Sequence, residues 1–229
     1  MPPQPKPSSR ETLLDVAIAA FRRRGYANTS VADLCDAAGV TKGAFFHHFK
    51  NKDDLARQAA DRFGVGATAL FDAGEHNKLD DPRDRLLGYV DLRIRMIDGP
   101  IPDFCCYFGT LVQEVHETHP DIRDKAASHI VGHVDVLAAE VEKAKAAYAP
   151  DADWQPRDVA MFMQTTVQGM LIMAKATQDP AVAVASLRQL RLHLEHLLPP
   201  RRPARPSTSK GKSDVSSRTT SRSATRSRR

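Results

Sequence analysis

The chain has 229 residues, 41 % of them apolar and 27 % charged, with a formal net charge of +5 at neutral pH. That length and apolar content fill one larger domain or two small ones. Three cysteines (Cys35 and the adjacent Cys105 and Cys106) exclude a disulfide-stapled scaffold. No run approaches the ~20 apolar residues that span a bilayer, and no apolar leader opens the chain, so the expectation is a reduced, cytoplasmic protein without a membrane partner.

The charge is uneven. Residues 1–52 carry eight Lys or Arg against four Asp or Glu, and residues 199–229 carry ten against the single Asp214. The stretch between holds fifteen against twenty-three. Basic ends on an acidic body point to a polyanion touched by one part of the molecule, as in nucleic-acid binding.

In chain order, helix starts recur. Ser8 with Glu11, Ser30 with Asp33 and Asn51 with Asp54 are N-cap pairs, and Asp81-Pro82 and Asp179-Pro180 place a cap before a first-turn proline. Apolar residues between them fall at three- and four-residue spacing, as in Leu14, Ile18 and Phe21. The spacing predicts nine helices, over residues 9–24, 31–38, 42–48, 52–75, 83–98, 103–117, 120–148, 156–177 and 180–197, and no strand. The expected organisation is a three-helix unit over residues 1–52, a six-helix domain over 53–198 and a basic, disordered tail over 199–229, too rich in Arg, Ser, Thr and Pro to bury a core.

Within the first unit, two short helices meet at Gly39, where a left-handed residue is cheap, and the second begins after Thr41. This is helix-turn-helix spacing. Cys35, Ala37, Ala38 and Ala44 are small enough for a close crossing, while Val31, Leu34, Val40, Phe45 and Phe49 fill the centre. The second helix keeps a polar face of Thr41, Lys42, Gly43, His47 and His48. Glycine inside a helix costs about 1 kcal/mol relative to alanine, and close approach to DNA is a reason for it.

The span from Thr29 to Leu55 resembles the DNA-binding domain of the TetR family of transcriptional regulators. The matching positions are Thr29, Asp33-Leu34, Ala38-Gly39-Val40, Thr41, Gly43, Phe45, His48-Phe49, Lys50, Lys52 and Leu55. Phe46 departs from the family's phosphate-binding tyrosine, which removes one hydrogen bond. The resemblance implies phosphate contacts from Thr29, His48 and Lys52, and a major-groove face of Lys42, Gly43, Ala44 and His47. It further implies an all-α bacterial repressor, a homodimer on a palindromic operator in double-stranded DNA, and a helical ligand-binding and dimerisation domain that answers a small-molecule effector.

In that larger domain, Met163, Val167, Gly169, Met170 and Ala174, with Leu187, Leu190 and Leu194 on the last helix, read as a dimer interface of paired apolar helices. Leu197 continues the second stripe. Tyr89, Met96, Cys106, Phe108, His133 and Phe162 are the candidate ligand-pocket residues. His129 and His133 lie four apart, with His116 and His119 upstream, but no metal-site spacing accompanies them. No nucleophile–base pair, phosphate loop or carboxylate dyad is visible. The reading is therefore not an enzyme, with no catalytic residues, metal or cofactor. The competing reading is an architectural, sequence-indifferent DNA binder driven by the basic tail.

Overall fold

The computed structural model describes residues 7–200 and is all-α among them, with ten helices and one 3₁₀ turn. The tail expected over 199–229 lies almost wholly outside the described residues. Helices α1 (Ser9–Arg24), α2 (Val31–Ala38) and α3 (Lys42–His48) precede the long α4 (Lys52–Asp72). A 3₁₀ turn (Glu75–Lys78) leads to α5 (Pro82–Arg95), α6 (Ile101–Phe104), α7 (Tyr107–Val115), α8 (Pro120–Tyr148), α9 (Pro156–Thr177) and α10 (Pro180–Leu197).

The helix starts sit where the caps place them. Ser8 and Ser30 each close a reciprocal capping box, with Glu11 and with Asp33. Asn51, Asp81 and Asp179 cap α4, α5 and α10 through their side chains. Gly39 ends α2 in the left-handed conformation, φ 64° and ψ 35°. Thr41 caps α3 by accepting from the Ala44 amide at 3.1 Å.

One expected helix is two. Over residues 103–117 the chain forms α6, breaks at Cys105 and Cys106 in extended conformation, and restarts as α7 with the Cys106 thiol accepting from the Gly109 amide. Cys105 is turned into the interior by that break, where burial pushes its thiol pKa up. Gly99, at φ 75°, and Pro100 start α6 early.

Two apolar cores hold the helices. The first gathers Leu13, Ala17 and Phe21 of α1, Leu34 of α2, Phe45 of α3 and Leu55 of α4. It continues into Tyr107, Leu111 and Ile122, so the helix-turn-helix rests on α7 and α8. Tyr107 is fully buried and its hydroxyl donates to the Ala56 carbonyl at 3.1 Å, which removes the cost of hiding a phenol. Each fully buried Phe or Leu here contributes roughly 2 to 3 kcal/mol of transfer free energy.

The second core joins α5, α8, α9 and α10 through Leu86, Val90, Val134, Met163, Val167 and Leu187. This corrects the expected dimer surface. Met163, Val167, Met170, Ala174, Leu187, Leu190 and Leu194 are all buried within their own subunit, at 4 % exposure or less. Their heptad-like stripe packs α9 against α10 and the rest of the domain. Gly169 differs: it is partly exposed, and a Cβ there would meet no atom within 4 Å.

The outward face of α9 is apolar as well. Phe162, Ile172 and Met173 are exposed at 46, 44 and 50 %, and Leu192 of α10 at 52 %. Phe162 lies 5.0 Å from the His193 ring of α10, which ties the two helices' outer faces together.

Candidate nucleic-acid interface and adjoining cavity

Helix α3 turns Phe45 inward, fully buried between α1 and α2, and leaves Thr41, Lys42, Gly43, Phe46 and His47 exposed. Ala44 and His48 are half-buried. The nearest atom to a Cβ on Gly43 would be Thr41 Oγ1 at 3.7 Å, an ordinary contact. The fold itself gives no reason for glycine at this helical position.

Three other residues expected at this face are engaged internally. Thr29 is fully buried, and its hydroxyl donates to the Gly25 carbonyl at 2.7 Å. Its side chain is a pin in the α1–α2 turn, which corrects the expectation of a phosphate ligand. Lys52 is half-buried and donates to the carbonyls of Tyr26 and Thr29 at 3.0 and 3.1 Å, with its ammonium 4.0 Å over the Tyr26 ring. Burial lowers its pKa. His48 shares a 2.8 Å hydrogen bond between Nε2 and the Ser9 hydroxyl, which anchors the end of α3 to the start of α1. Phe46, 58 % exposed, presents an apolar face beside His47 where a polar contact was expected to be lost.

A cavity of about 580 Å³ lies behind this unit, walled by α4, α5, α8 and α9 and by the α6–α7 break. Met96, Cys106, Phe108 and His133, four of the six residues read as pocket candidates, line it. Two expected residues do not. Phe162 is on the outer face of α9, and Tyr89 is 4 % exposed behind His133, with its hydroxyl 2.8 Å from His133 Nε2.

Tyr89 orders this wall. Its hydroxyl accepts from Arg93 Nε at 2.8 Å, and His133 Nε2 lies 3.4 Å from the donor-only Arg93 Nη2, an arrangement that fits an Nε2 accepting from the Tyr89 hydroxyl. Burial, reinforced by the Arg93 charge, pulls the His133 pKa down to about 4. Arg93 lies 4.3 Å over the Phe71 ring. One turn back along α8, His129 stacks flat on Phe108, ring centroids 4.7 Å apart and 7° from parallel. His129 Nε2 also meets Asp61 Oδ1 at 3.2 Å, an oxygen shared with Lys125 at 2.8 Å. Gly64 permits this: a Cβ there would fall 2.5 Å from His129 Cε1.

His129 and His133 therefore both face the cavity but serve different partners. Among the described residues, no three His, Cys, Asp or Glu side chains gather as a metal site would require. Sequence reasoning missed Arg22, Phe63, Arg93 and Gln164, which also line the space. Gln164, polar within the inward stripe of α9, was the one with a visible signal.

The N-terminal segment matches the family model "Bacterial regulatory proteins, tetR family" over residues 13–59, and residues 82–190 match "Tetracyclin repressor-like, C-terminal domain". Among curated proteins, the HTH-type transcriptional regulator AcrR of Shigella flexneri is 47 % identical over 47 residues, 20 % of this chain and 22 % of that protein. TtgR of Pseudomonas putida, also an HTH-type transcriptional regulator, is 36 % identical over 74 residues, 32 % of this chain and 35 % of its own length. The likeness to these two curated relatives thus spans 22 to 35 % of their length. Among solved structures, a TetR transcriptional regulator from Chloroflexus aurantiacus superposes with a TM-score of 0.74 at 22 % identity, covering 83 % of this chain and 96 % of that one. A TetR-family regulator from Agrobacterium tumefaciens gives 0.72 at 23 % identity, covering 81 % and 96 %. These likenesses carry the fold across the helical domain as well as the helix-turn-helix.

Proposed function

The chain belongs to the tetR family of bacterial regulatory proteins, and from that premise we propose that it is a sequence-specific DNA-binding transcriptional regulator, a repressor released from a palindromic operator by a small molecule. The observation that carries the reading is the exposed face of α3. Lys42, Gly43 and His47 project from it, and nothing inside the fold accounts for the glycine. A recognition helix lays its N-terminal residues against base edges in the major groove, where a side chain at position 43 would hold the backbone away. Lys42 and His47 donate to bases or phosphates, and Phe46 offers an apolar contact to a thymine methyl.

The protein acts as a homodimer, because half-site readers pair across a two-fold axis. The partner-facing surface is the outward stripe of Phe162, Gly169, Ile172 and Met173 on α9 with Leu192 on α10, in place of the inward stripe. Gly169, with no atom near it, lets the backbones of two copies approach. The cavity is the effector site. A ligand there shifts the dimer only as far as it prefers the DNA-incompetent state, and a coupling of about 1 to 3 kcal/mol would change DNA affinity some 5- to 150-fold. The reading includes no catalysis, and its place of action is the cytoplasm. No helix among the described residues is long and apolar enough to cross a membrane.

Selection from a random duplex pool at near-physiological salt tests this, using the full chain and a version ending at Leu198. A shared site with two-fold symmetry from both supports the reading. DNA binding by the full chain without any enriched sequence would replace it with the architectural one.

A further inference from the structure

Two residues on the cavity lining, Arg22 and Gln164, each carry a buried side-chain polar atom with no hydrogen-bond partner. Arg22 reaches into the cavity from α1, with its guanidinium 5.7 Å over the Phe63 ring. Nη2 donates to the backbone carbonyl of Asp103, on α6, while Nε is buried without a hydrogen-bond partner. The Asp103 carboxylate pairs with Arg23 instead, at 3.2 Å. Neither Arg22 nor Arg93 has a carboxylate partner among the ion pairs of the described residues, although both line the same space. Gln164, on the same lining and 6 % exposed, holds its Oε1 buried and unpartnered. Most of the remaining wall is apolar, as at Phe63, Phe104, Phe108 and Leu171, with Arg95, Asp98 and Asp103 also on it.

Elsewhere in this molecule the same guanidinium edge shows what it fits. Arg62 grips the Asp15 carboxylate with Nε at 2.6 Å and Nη2 at 2.8 Å, the side-on bidentate fork. Arg22 has one prong on a neutral carbonyl and the other empty. A neutral acceptor would satisfy Nε without offsetting the guanidinium charge, and a cation would meet Arg22, Arg93 and Arg95 against only Asp98 and Asp103 on the lining. Burial already presses Arg22 toward its uncharged form, an imbalance an anion relieves.

Building on the proposed effector role of the cavity, we propose that the effector is a carboxylate on an apolar body, gripped by Arg22 through its Nε–Nη2 edge and oriented by Gln164, which takes a hydroxyl or N–H donor where the ligand has one. The second carboxylate oxygen competes with the Asp103 carbonyl for Nη2. Arg22 belongs to α1 of the helix-turn-helix unit and Asp103 to α6 of the ligand domain. Binding therefore exchanges a contact between the two for a contact to the ligand, which reads occupancy directly onto the helix that α3 packs against.

The test is calorimetric titration of the full chain with two matched series: decanoate, 1-decanol and decylamine, and 2-naphthoate, 2-naphthol and 2-naphthylmethylamine. In at least one series the carboxylate is expected to bind ten-fold or more tightly than the alcohol and the amine. Arg22→Gln should remove that preference, weakening the carboxylate at least ten-fold and the alcohol less than three-fold. Equal or tighter binding of an amine or alcohol to the wild-type chain overturns the proposal without use of any variant, as does the absence of binding in both series. Operator release is measured alongside. Release by the neutral or cationic probes alone leaves a ligand-responsive regulator and removes the carboxylate assignment. Tight, Arg22-dependent carboxylate binding with unchanged DNA occupancy leaves the site and removes the release mechanism.

Discussion

Lys52 reaches back from the first turn of α4 to donate to the Thr29 carbonyl at 3.1 Å, and so clamps the entry of the helix-turn-helix onto the helix that leads out of it. A second bond to the Tyr26 carbonyl and the ring beneath the ammonium complete the clamp. The residue's first task is thus internal geometry. Lys52→Ala is expected to lower stability by roughly 2 kcal/mol, from the loss of charge-assisted hydrogen bonds and a cation–π contact. Urea denaturation measures it, and a change within about 0.5 kcal/mol would show that the clamp contributes little.

Gly43 and Gly64 give opposite expectations for the same substitution. Gly43→Ala meets no close atom in the fold and should stabilise the protein by up to about 1 kcal/mol through helix propensity, while weakening operator binding at least ten-fold. Gly64→Ala drives a methyl into His129. It should cost about 1 to 3 kcal/mol, as overpacking does, and disturb the His129–Phe108 wall of the cavity. Thermal melts and DNA titrations of the two variants together separate the outward-facing glycine from the inward-facing one.

The two apolar stripes of α9 are separated in the same way. Ile172→Glu, on the exposed face, should yield a folded monomer by sedimentation velocity. Met163→Glu, fully buried, should unfold the domain through an unpaired buried charge. A folded Ile172→Glu dimer would move the interface elsewhere.

His133 links the cavity to pH. In the folded chain its pKa is about 4, against 6.5 for the ordinary side chain. Between those values the unfolded chain binds the proton and the folded one does not, so stability falls as pH drops from about 6.5 towards 4. The shift corresponds to on the order of 3 kcal/mol over that range. The charges facing it include Arg93, whose proximity adds to the effect of burial. His133→Gln should flatten the slope of stability against pH in this window, and an unchanged slope would place the titration on another group.

Much of this was legible in the chain. Caps such as Ser30 and Thr41, the left-handed Gly39 and the inward Phe45 are local signals, and local hydrogen bonds decide them. The α6–α7 break was hidden because Cys105 and Cys106 carry no breaker chemistry, and the extended turn between the helices is a matter of tertiary packing. The stripe expected to meet a partner packs inside its own subunit instead, because α9 is apolar on most of its circumference and a 3.6-residue period cannot say which apolar face turns inward. Tyr89 proved to support His133 rather than line the cavity. Arg22 left no signal at all. It sits in a run of three arginines far from the predicted pocket residues, and only the packing of α1 on α6 carries it there.

The central claim is that α3 reads DNA sequence, and the most direct measurement is the random-duplex selection repeated with His47→Ala. His47 is exposed and outside the core, so the variant should fold, keep the spacing of the two half-sites and change the preferred bases at symmetric positions. An identical selected site, or loss of binding that is equal on every sequence, would contradict the claim.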